Sequence, residues 1–253
     1  MGCCAVASFL LIGLRLLVRR IIPSDLLLPR EACSMRAMKS LLKFCALVVC
    51  LDASFAQESV PPEVTRGTSD PYAGDLSIFE EPTRGKDLQI ERVMDLLGIK
   101  EGSHVADIGA GSGWFSVRSA KRVGKSGIVY AVEINQAYVR HIKQRAKKEK
   151  LSNVRAILGK TDDPLLAKGS LDVVMLLKTY HEVAKPIPLL RKLREAMKPG
   201  ARLGVIDRKG IGTDHGLNAE VVIKEAAEAG FALREQHDFV KGDVDYFLIF
   251  EAS

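Results

Sequence analysis

Cysteine is missing from most of this sequence. All five cysteines of the 253 residues lie before residue 57. They are Cys3, Cys4, Cys33, Cys45 and Cys50. The chain from residue 57 onward therefore cannot contain a cysteine nucleophile, a thiolate zinc site or an internal disulfide. Its histidines and acidic residues show no spacing typical of metal ligands either, so we expect no metal site in this region.

A strong excess of charge of one sign is also missing. The chain has 37 Lys and Arg against 31 Asp and Glu. Seven of the basic and three of the acidic residues precede residue 57, which leaves 30 against 28, a net charge of +2, for the rest. So small a net charge does not favour a polyanionic partner, and we expect no nucleic acid to bind. The local basic run at residues 145–150 is predicted to be a solvated helix face.

The first 56 residues are predicted to be a targeting segment. Their apolar stretch at residues 44–51 is too short to span a bilayer comfortably. Two lysines precede this stretch, and residues 54–56 offer a small-x-small cleavage site before Gln57. This order is typical of a secretory signal peptide, here residues 38–56. We expect a protein exported to the periplasm or the medium; a cytoplasmic protein, or one anchored in the membrane by its N-terminus, is the alternative.

The rest of the chain is predicted to be a lid or linker followed by one domain. Residues 57–84 contain several Pro and Gly and are predicted to form the linker or lid. In residues 85–253 strand and helix patterns alternate, which predicts an α/β domain. The predicted strands are His104–Ile108, 127–133, Val154–Leu158, Leu171–Leu177, 201–206, 231–239 and 244–251. Because only a turn joins the last two, they must pair antiparallel. We therefore predict a Rossmann-like, seven-stranded sheet, mostly parallel with an antiparallel last strand, and helices on both faces.

A glycine-rich loop follows the first predicted strand and precedes a helix. Asp107 is followed by Gly109, Gly111 and Gly113, with Trp114 where a dinucleotide fingerprint has its third glycine. Glycines at such a position let a ligand lie against backbone N–H groups at a helix N-terminus. The acid at position 107 is suited to a cationic group, such as an ammonium, on that ligand.

An acidic residue closes the second predicted strand. Glu133 lies 20 residues after Gly113. An acid at this place can accept hydrogen bonds from both hydroxyls of a ribose. Glu133 therefore favours a nucleoside cofactor, without choosing between NAD and S-adenosylmethionine.

Five stretches resemble class I S-adenosylmethionine-dependent methyltransferases over about residues 85–253. They are Ala-Asp-Ile-Gly-Ala-Gly-Ser-Gly at 106–113, Val-Tyr-Ala-Val-Glu at 129–133, Asp-Asp-Pro at 162–164, Thr-Tyr-His-Glu at 179–182 and Lys-Pro-Gly at 198–200. More narrowly, the chain is similar to a bacterial group of predicted, in part exported, methyltransferases related to the quinone-biosynthesis C-methyltransferases.

This resemblance implies S-adenosylmethionine as cofactor, a small-molecule methyl acceptor and a set of binding residues. The implied cofactor-binding residues are Asp107, Gly109, Ala110, Gly111, Gly113, Glu133 and Lys178, with Asp162 or Asp163 for the adenine amino group. The usual Gly-Asp pair before this last acid is replaced by Gly159-Lys160, so the choice between the two aspartates stays open.

Residues 178–182 leave the fourth predicted strand at its carboxyl end, where open parallel sheets bind ligands. His181 is the best candidate for a general base, since a histidine titrates in the right range. Glu182 is a candidate to orient or replace it, and Tyr180 to position the acceptor. Asp207 and His215 could line the same mouth, although a structural role is favoured for each.

We therefore expect an S-adenosylmethionine-dependent methyltransferase. An NAD-dependent oxidoreductase is the first alternative, and Trp114 and the antiparallel strand pair count against it. A non-catalytic protein that binds S-adenosylmethionine or S-adenosylhomocysteine is the second, and the Tyr-His-Glu stretch weakens it. The sequence leaves the acceptor and the methylated atom open.

Overall fold

The structure, a computed structural model, describes residues 65–252 of the chain. The predicted targeting segment, residues 1–56, lies outside the described residues, as does the first part of the predicted linker. Between residues 65 and 252, no helix combines the length and the apolar character that a membrane crossing needs.

Seven strands form one sheet in this region. They are β1 (His104–Ile108), β2 (Ile128–Glu133), β3 (Val154–Leu158), β4 (Leu171–Leu177), β5 (Met197–Asp207), β6 (Phe231–His237) and β7 (Tyr246–Ala252). Their order across the sheet is β3-β2-β1-β4-β5-β7-β6. The pairs among β1 to β5 are parallel, and β7 is antiparallel to both β5 and β6. The predicted seven-stranded sheet with a reversed last strand is confirmed.

Helices connect these strands and pack on the sheet. The α-helices of the described region are α1 (Arg84–Asp87), α2 (Ile90–Leu96), α3 (Trp114–Val123), α4 (Gln136–Lys148), α5 (Pro186–Ala196) and α6 (Ala219–Glu228). Two short 3₁₀ helices, Leu76–Glu80 and Tyr180–Glu182, belong to the loops that surround the site.

The core lies on both faces of the sheet. On one face, Leu176 of β4 packs in a cluster with Leu190 of α5 and Val222 of α6. On the other, Met175 of β4 packs in a cluster with Phe115 of α3. Successive side chains of β4 therefore enter opposite clusters, which explains why the strand is a continuous apolar run rather than an alternating one.

Three predicted strands, β1, β3 and β4, have the predicted bounds, but β5 is longer than predicted. It begins at Met197 rather than at residue 201, because Met197 already pairs with Leu171 of β4 before the register shifts between Leu171 and Val173. Consequently α5 ends at Ala196.

The carboxyl ends of β1, β2, β4 and β5 lie along one edge of the sheet. The strand order reverses between the neighbours β1 and β4, since β2 and β3 lie on one side and β5 on the other. A crevice outside the carboxyl ends at such a reversal is where open α/β sheets bind their ligands.

Candidate active site

A cavity of about 860 Å³ lies at this edge of the sheet. Its wall is formed by the loops after β1, β2, β3, β4 and β5 and by residues of the segment that precedes α1. The strands thus bring together residues that are far apart in the sequence.

The loop after β1 depends on three glycines in left-handed backbone conformation. Gly109, Gly111 and Gly113 have φ angles of +67°, +55° and +77°. A Cβ atom at Gly109 would collide with the side chain of Thr179, and one at Gly111 would lie 3.4 Å from the ring of Phe79. Glycine is thus required at position 109 for space as well as for conformation, and at position 111 for its left-handed conformation. The first two glycines line the cavity, whereas the third immediately precedes α3 and is not part of its wall.

The amides of this loop are hydrogen-bonded to the end of β2. The N–H groups of Gly109 and Ala110 donate to the carbonyl oxygen of Val132 at 2.9 and 3.1 Å. The N–H of Gly111 donates to Glu133 Oε1 at 2.6 Å. These three amides are therefore already paired, and what the loop offers a ligand is a close approach to the backbone, unobstructed by side chains.

Asp107 is a buried carboxyl group in the cavity wall. Its Oδ2 accepts a hydrogen bond of 2.5 Å from Ser116 Oγ. Burial raises the pKa of Asp107 to about 6, although the Ser116 hydrogen bond opposes the shift. A cationic ligand group would stabilise the charged carboxylate here, so the site fits a ligand with an ammonium.

Glu133 lines the cavity at the end of β2. Its second carboxylate oxygen accepts a hydrogen bond of 3.0 Å from the N–H of Ile134. Burial raises the pKa of Glu133 as well. The residue is thus placed where the sequence predicts it, one strand away from Asp107, which suits a ligand that spans the carboxyl ends of β1 and β2.

Neither aspartate predicted to bind adenine lines the cavity. Asp163 Oδ1 accepts a hydrogen bond of 2.8 Å from the N–H of Leu165, and Asp162 Oδ2 lies 3.7 Å from Lys185 Nζ. The wall at this end is formed instead by Lys160, Thr161 and Pro164. This geometry does not support the predicted adenine contact, because both carboxylates are directed to partners in their own turn or on another loop.

Lys178 lines the cavity, as expected, with an unusual φ of +55°. Its ammonium forms an ion pair with Asp243, which also lines the cavity. A cofactor contact by the Lys178 ammonium would therefore have to compete with this carboxylate.

The segment of residues 65–84, here called the covering segment, closes one side of the cavity. Its residues Tyr72 and Phe79 form part of the wall, and their rings pack edge to face at 5.5 Å between centroids. Tyr138 Oη of α4 donates to the carbonyl oxygens of Tyr72 and Gly74 at 3.2 and 3.1 Å. Part of the predicted linker or lid thus packs directly over the cavity.

Ion pairs and hydrogen bonds fasten both ends of the covering segment. Near its end, Glu80 accepts hydrogen bonds from Ser112 Oγ at 2.6 Å and from Arg145 at 2.5 Å. Although burial favours the neutral acid, these partners hold the pKa of Glu80 below its usual range. Near its beginning, Ser69 N donates to the carbonyl oxygen of Gly212 at 3.1 Å. The segment therefore connects the glycine loop to the loop after β5.

Trp114 is buried in the cavity wall, and two arginines lie against its rings. The guanidinium of Arg84 lies 4.6 Å from a ring centroid of Trp114, and that of Arg118 lies 3.7 Å from it. Arg84 also donates to the carbonyl oxygen of Phe79 at 2.8 Å. Trp114 stands at the position where a dinucleotide-binding loop has its third glycine. Through its contact with Arg84 it thus helps to hold the covering segment over the cavity.

The mouth of the cavity on the β4 and β5 side contains His181, Glu182 and His215. His181 is buried, and its Nδ1 lies 2.8 and 3.0 Å from the two carboxylate oxygens of Asp207. Because a carboxylate can only accept, Nδ1 carries a proton, so in the neutral imidazole the lone pair is on Nε2. His181 Nε2 lies 3.8 Å from Glu182 Oε1, and burial raises the pKa of Glu182.

Tyr180 does not line the cavity. It is completely buried, and its hydroxyl donates to Glu225 Oε2 of α6 at 2.7 Å. Arg66 forms an ion pair with the same Glu225 and contacts the ring of Tyr180. This geometry does not support the predicted acceptor-positioning role, because the hydroxyl is turned into the core.

Other parts of the site were missed at the level of the sequence. Arg145 was expected on a solvated helix face, yet its side chain is 17% exposed and pairs with Glu80 and Glu149. Asp207 was favoured as structural, and it does not line the cavity; its particular task, to hold the imidazole of His181, was not predicted. A strand-end acid is a weak signal of such a partner, and no local pattern pairs position 80 with position 145.

These features define a class of protein. A sheet of order 3-2-1-4-5-7-6 with a reversed β7, a glycine loop after β1 and an acid after β2 form the Rossmann-like fold of class I methyltransferases. A family profile described as "Methyltransferase domain" matches residues 99–240, more than half of the chain. The chain belongs to this family, as a class I, S-adenosylmethionine-dependent methyltransferase domain.

Curated relatives include quinone methyltransferases. The ubiquinone/menaquinone biosynthesis C-methyltransferase of Hydrogenovibrio crunogenus is 26% identical over 162 residues, which cover 62% of this chain and 64% of that protein. The demethylmenaquinone methyltransferase of Listeria welshimeri is 25% identical over 117 residues, 46% of this chain and 50% of that protein. The chain thus spans about half to two thirds of the length of these relatives.

Solved structures show the same fold. A SAM dependent methyltransferase from Aquifex aeolicus has a TM-score of 0.64 at 24% identity and covers 72% of this chain and 100% of its own. The [4+2]-cyclase SpnF has a TM-score of 0.58 at 16% identity and covers 83% of this chain and 94% of its own. Because a cyclase shares it, the fold does not by itself fix the reaction.

Proposed function

We propose that the protein transfers a methyl group from S-adenosylmethionine to a small-molecule acceptor. The observation that carries this proposal is the arrangement of one cavity. Two buried carboxyl groups and a glycine loop lie at its β1 and β2 end, and His181, Glu182 and His215 lie at its β4 and β5 end. A ligand bound at the first end would present its reactive group toward the second.

The cofactor, when bound, supplies a methyl group already activated on a sulfonium. Asp107 would hold its ammonium, and Glu133 would accept hydrogen bonds from its ribose hydroxyls. The glycine loop lets the cofactor lie close to the backbone. The covering segment, which lines one side of the cavity, would limit the access of water to the bound cofactor and so strengthen these charged contacts.

The acceptor would enter at the mouth that His181, Glu182 and His215 border. A cavity of about 860 Å³ is within the usual size of small-molecule sites, about 300–1,000 Å³. It has to hold cofactor and acceptor together, which favours a compact acceptor over a protein side chain presented by a partner. The methyl transfer itself needs the acceptor atom held in line with the methyl group, a task of positioning.

Calorimetry with S-adenosylhomocysteine and with NAD tests the cofactor. We expect the first to bind and the second not to bind. Binding of NAD alone would favour the oxidoreductase alternative and overturn the proposal.

Turnover tests the reaction. The protein is incubated with a panel of metabolites and a cofactor labelled in its methyl group, and label in the acceptor is counted. Transfer to a small molecule is the expected result. A protein that binds S-adenosylhomocysteine tightly, yet methylates no member of a broad panel, would favour the non-catalytic alternative.

Export is part of the proposal and rests on the pattern of residues 38–56. The protein is recovered from fractionated cells and its N-terminus is sequenced. A start at Gln57 in the exported fraction is expected. A protein that keeps residues 1–56 in the cytosol, or that stays with the membrane, would contradict it.

A further inference from the structure

Three potential metal ligands meet at the mouth of the cavity. Within residues 65–252, one group of side chains with metal-binding atoms stands close enough to hold a cation, and it consists of His181, Glu182 and His215. Their ligand atoms all lie within 4.8 Å of one another, and His181 Nε2 and Glu182 Oε1 are 3.8 Å apart. Two imidazoles and one carboxylate are a ligand set that divalent transition metals prefer.

A second, independent feature is the fixed orientation of the His181 ring. Asp207, which is fully buried, accepts from Nδ1 at 2.8 Å and from the backbone N–H of His181 at 3.1 Å. The ring therefore has one allowed tautomer, with the lone pair of Nε2 directed away from Asp207. A carboxylate that holds the second nitrogen of a histidine in this way is the usual support of a metal-binding imidazole.

The charges around the group also favour a cation. Glu182 and Asp207 place two carboxylates around one buried imidazole. Two basic side chains that line the cavity on this side have other partners. Lys178 is compensated by Asp243, whereas Arg208 donates to the carbonyl oxygens of Asp214 and His215 and keeps its positive charge. The two carboxylates therefore outnumber the uncompensated cations of these residues by one.

We propose that His181 Nε2, Glu182 and His215 bind a divalent transition-metal ion at the mouth of the cavity. Ligand atoms about 2.0–2.2 Å from a metal lie roughly 3–3.4 Å from each other. His181 Nε2 and Glu182 Oε1, which are 3.8 Å apart, would therefore have to approach by about 0.4–0.8 Å, and a pair at the 4.8 Å limit by about 1.4–1.8 Å. Rotation of the exposed His215 side chain would bring its nitrogen closer, and rotation of the partly exposed Glu182 side chain would bring its carboxylate toward His181. The backbone N–H of His215 is held by a 2.9 Å hydrogen bond to Ser69 Oγ.

This assignment narrows the acceptor class, and that part rests on the proposed function. Three protein ligands leave open positions on the metal, directed toward the cavity. An acceptor with two adjacent oxygen atoms, such as a vicinal pair of hydroxyls, would chelate the ion there. The assignment also replaces the general-base role expected for His181, because a nitrogen that holds a metal has no lone pair left for a proton.

Metal binding is tested on the full chain. Its five cysteines, all before residue 57, are alkylated first, so that thiolates cannot contribute. After treatment with a chelator, Mn²⁺ or Co²⁺ is titrated and followed by calorimetry and, for Co²⁺, by its visible absorption. We expect one equivalent to bind. The absence of binding would overturn the proposal.

Variants locate the ion. His215→Ala and Glu182→Gln are each expected to weaken binding more than about 100-fold, beyond the loss typical of a supporting residue. His141→Ala removes an exposed histidine of α4 and serves as the matched control, with unchanged binding expected. Equal affinity in His215→Ala, Glu182→Gln and the unchanged protein would contradict the assigned ligands. Circular dichroism of each variant shows that it is folded.

Two further measurements distinguish a failure of the metal site from a failure of the proposed function. His215→Ala should still bind S-adenosylhomocysteine, since that ligand is expected at Asp107 and Glu133. If neither the unchanged protein nor His215→Ala binds it, the cofactor assignment fails while the metal site stands. On the Co²⁺-loaded protein, 1,2-dihydroxybenzene is expected to shift the visible absorption, and 1,3-dihydroxybenzene, which cannot chelate, is not. Equal responses would overturn the chelating acceptor alone.

Discussion

At the scale of single residues, Asp107 combines burial with a place in the cavity wall. Because burial raises its pKa to about 6, the carboxyl is protonated well below this pH and charged above it. Glu133, one strand away, has a pKa raised in the same direction. A ligand with an ammonium near Asp107 and hydroxyl donors near Glu133 binds most strongly when both carboxyl groups are charged.

We therefore predict that the affinity for S-adenosylhomocysteine rises as the pH rises through about 6 and levels off above it. Asp107→Asn should weaken binding at pH 8 about tenfold or more and flatten this dependence, because an amide cannot become charged. Calorimetry from pH 5 to pH 8 measures both effects. Glu91→Gln, which alters an exposed acid of α2, is the control; a wild-type affinity independent of pH would contradict the prediction.

Tyr180 provides a residue-scale test of structure against sequence. Its hydroxyl donates to Glu225 inside the core and not into the cavity. Tyr180→Phe should lower the free energy of unfolding by about 1–3 kcal/mol, since a buried carboxylate loses one donor, yet leave the affinity for S-adenosylhomocysteine unchanged. Denaturant unfolding and calorimetry measure the two quantities. A variant as stable as the unchanged protein that methylates poorly would instead support the positioning role.

At the scale of elements, the glycine loop can be tested with a matched pair of substitutions. Gly109 and Gly98 have similar φ angles, +67° and +75°, but only at Gly109 would a Cβ atom meet a side chain. Gly98→Ala should cost about 1 kcal/mol of stability from backbone strain alone. Gly109→Ala should cost clearly more and abolish cofactor binding, because Thr179 has to move. Thermal unfolding with and without S-adenosylhomocysteine measures this, and equal losses would contradict it.

The covering segment is held to the glycine loop by Glu80 and Arg145. Both side chains are partly exposed, at 39% and 17%, so Glu80→Gln should change the free energy of unfolding by less than about 1 kcal/mol. It should nevertheless speed the dissociation of S-adenosylhomocysteine several-fold, because the cover over the cavity opens more readily. Stopped-flow displacement measures the rate. Lys168→Met breaks the exposed ion pair with Glu195 and is the control. Equal dissociation rates in both variants would contradict the role of the Glu80–Arg145 pair in holding the covering segment closed.

At the scale of the whole molecule, the buried acid makes the stability of the ligand-free protein depend on pH. An unfolded Asp titrates near pH 4, and Asp107 in the folded protein near pH 6. The folded state therefore binds more protons between these values, so its contribution to stability falls as the pH rises from about 4 to 6. The loss is about 3 kcal/mol at most.

We accordingly expect Asp107→Asn to gain stability relative to the unchanged protein as the pH rises from 4 to 7. Denaturant unfolding at several pH values measures this difference. Saturating S-adenosylhomocysteine should offset the loss in the unchanged protein above pH 6, since its ammonium pairs with the charged carboxylate. A stability difference that stays constant over this range would contradict a raised pKa.

The sequence predicts the strands and the acids at their ends better than it predicts the loops and side-chain pairs around the cavity. The bounds of β1, β3 and β4 follow from local apolar runs, and the places of Asp107 and Glu133 follow from their position at strand ends. The turn at Asp162 and Asp163 and the direction of Tyr180 depend on packing between distant elements. The same holds for Arg145, whose partner Glu80 is 65 residues away. Local patterns carry no information on such pairs.

The covering segment is hydrogen-bonded near both of its ends. Side chains of this one segment contact both the loop beside the expected nucleoside and the loop that carries His215. We expect the two reactants to bind in a compulsory order: the nucleoside first, the acceptor second, with the methylated product leaving before the spent nucleoside. Product-inhibition kinetics measure this order, and a random pattern would contradict it.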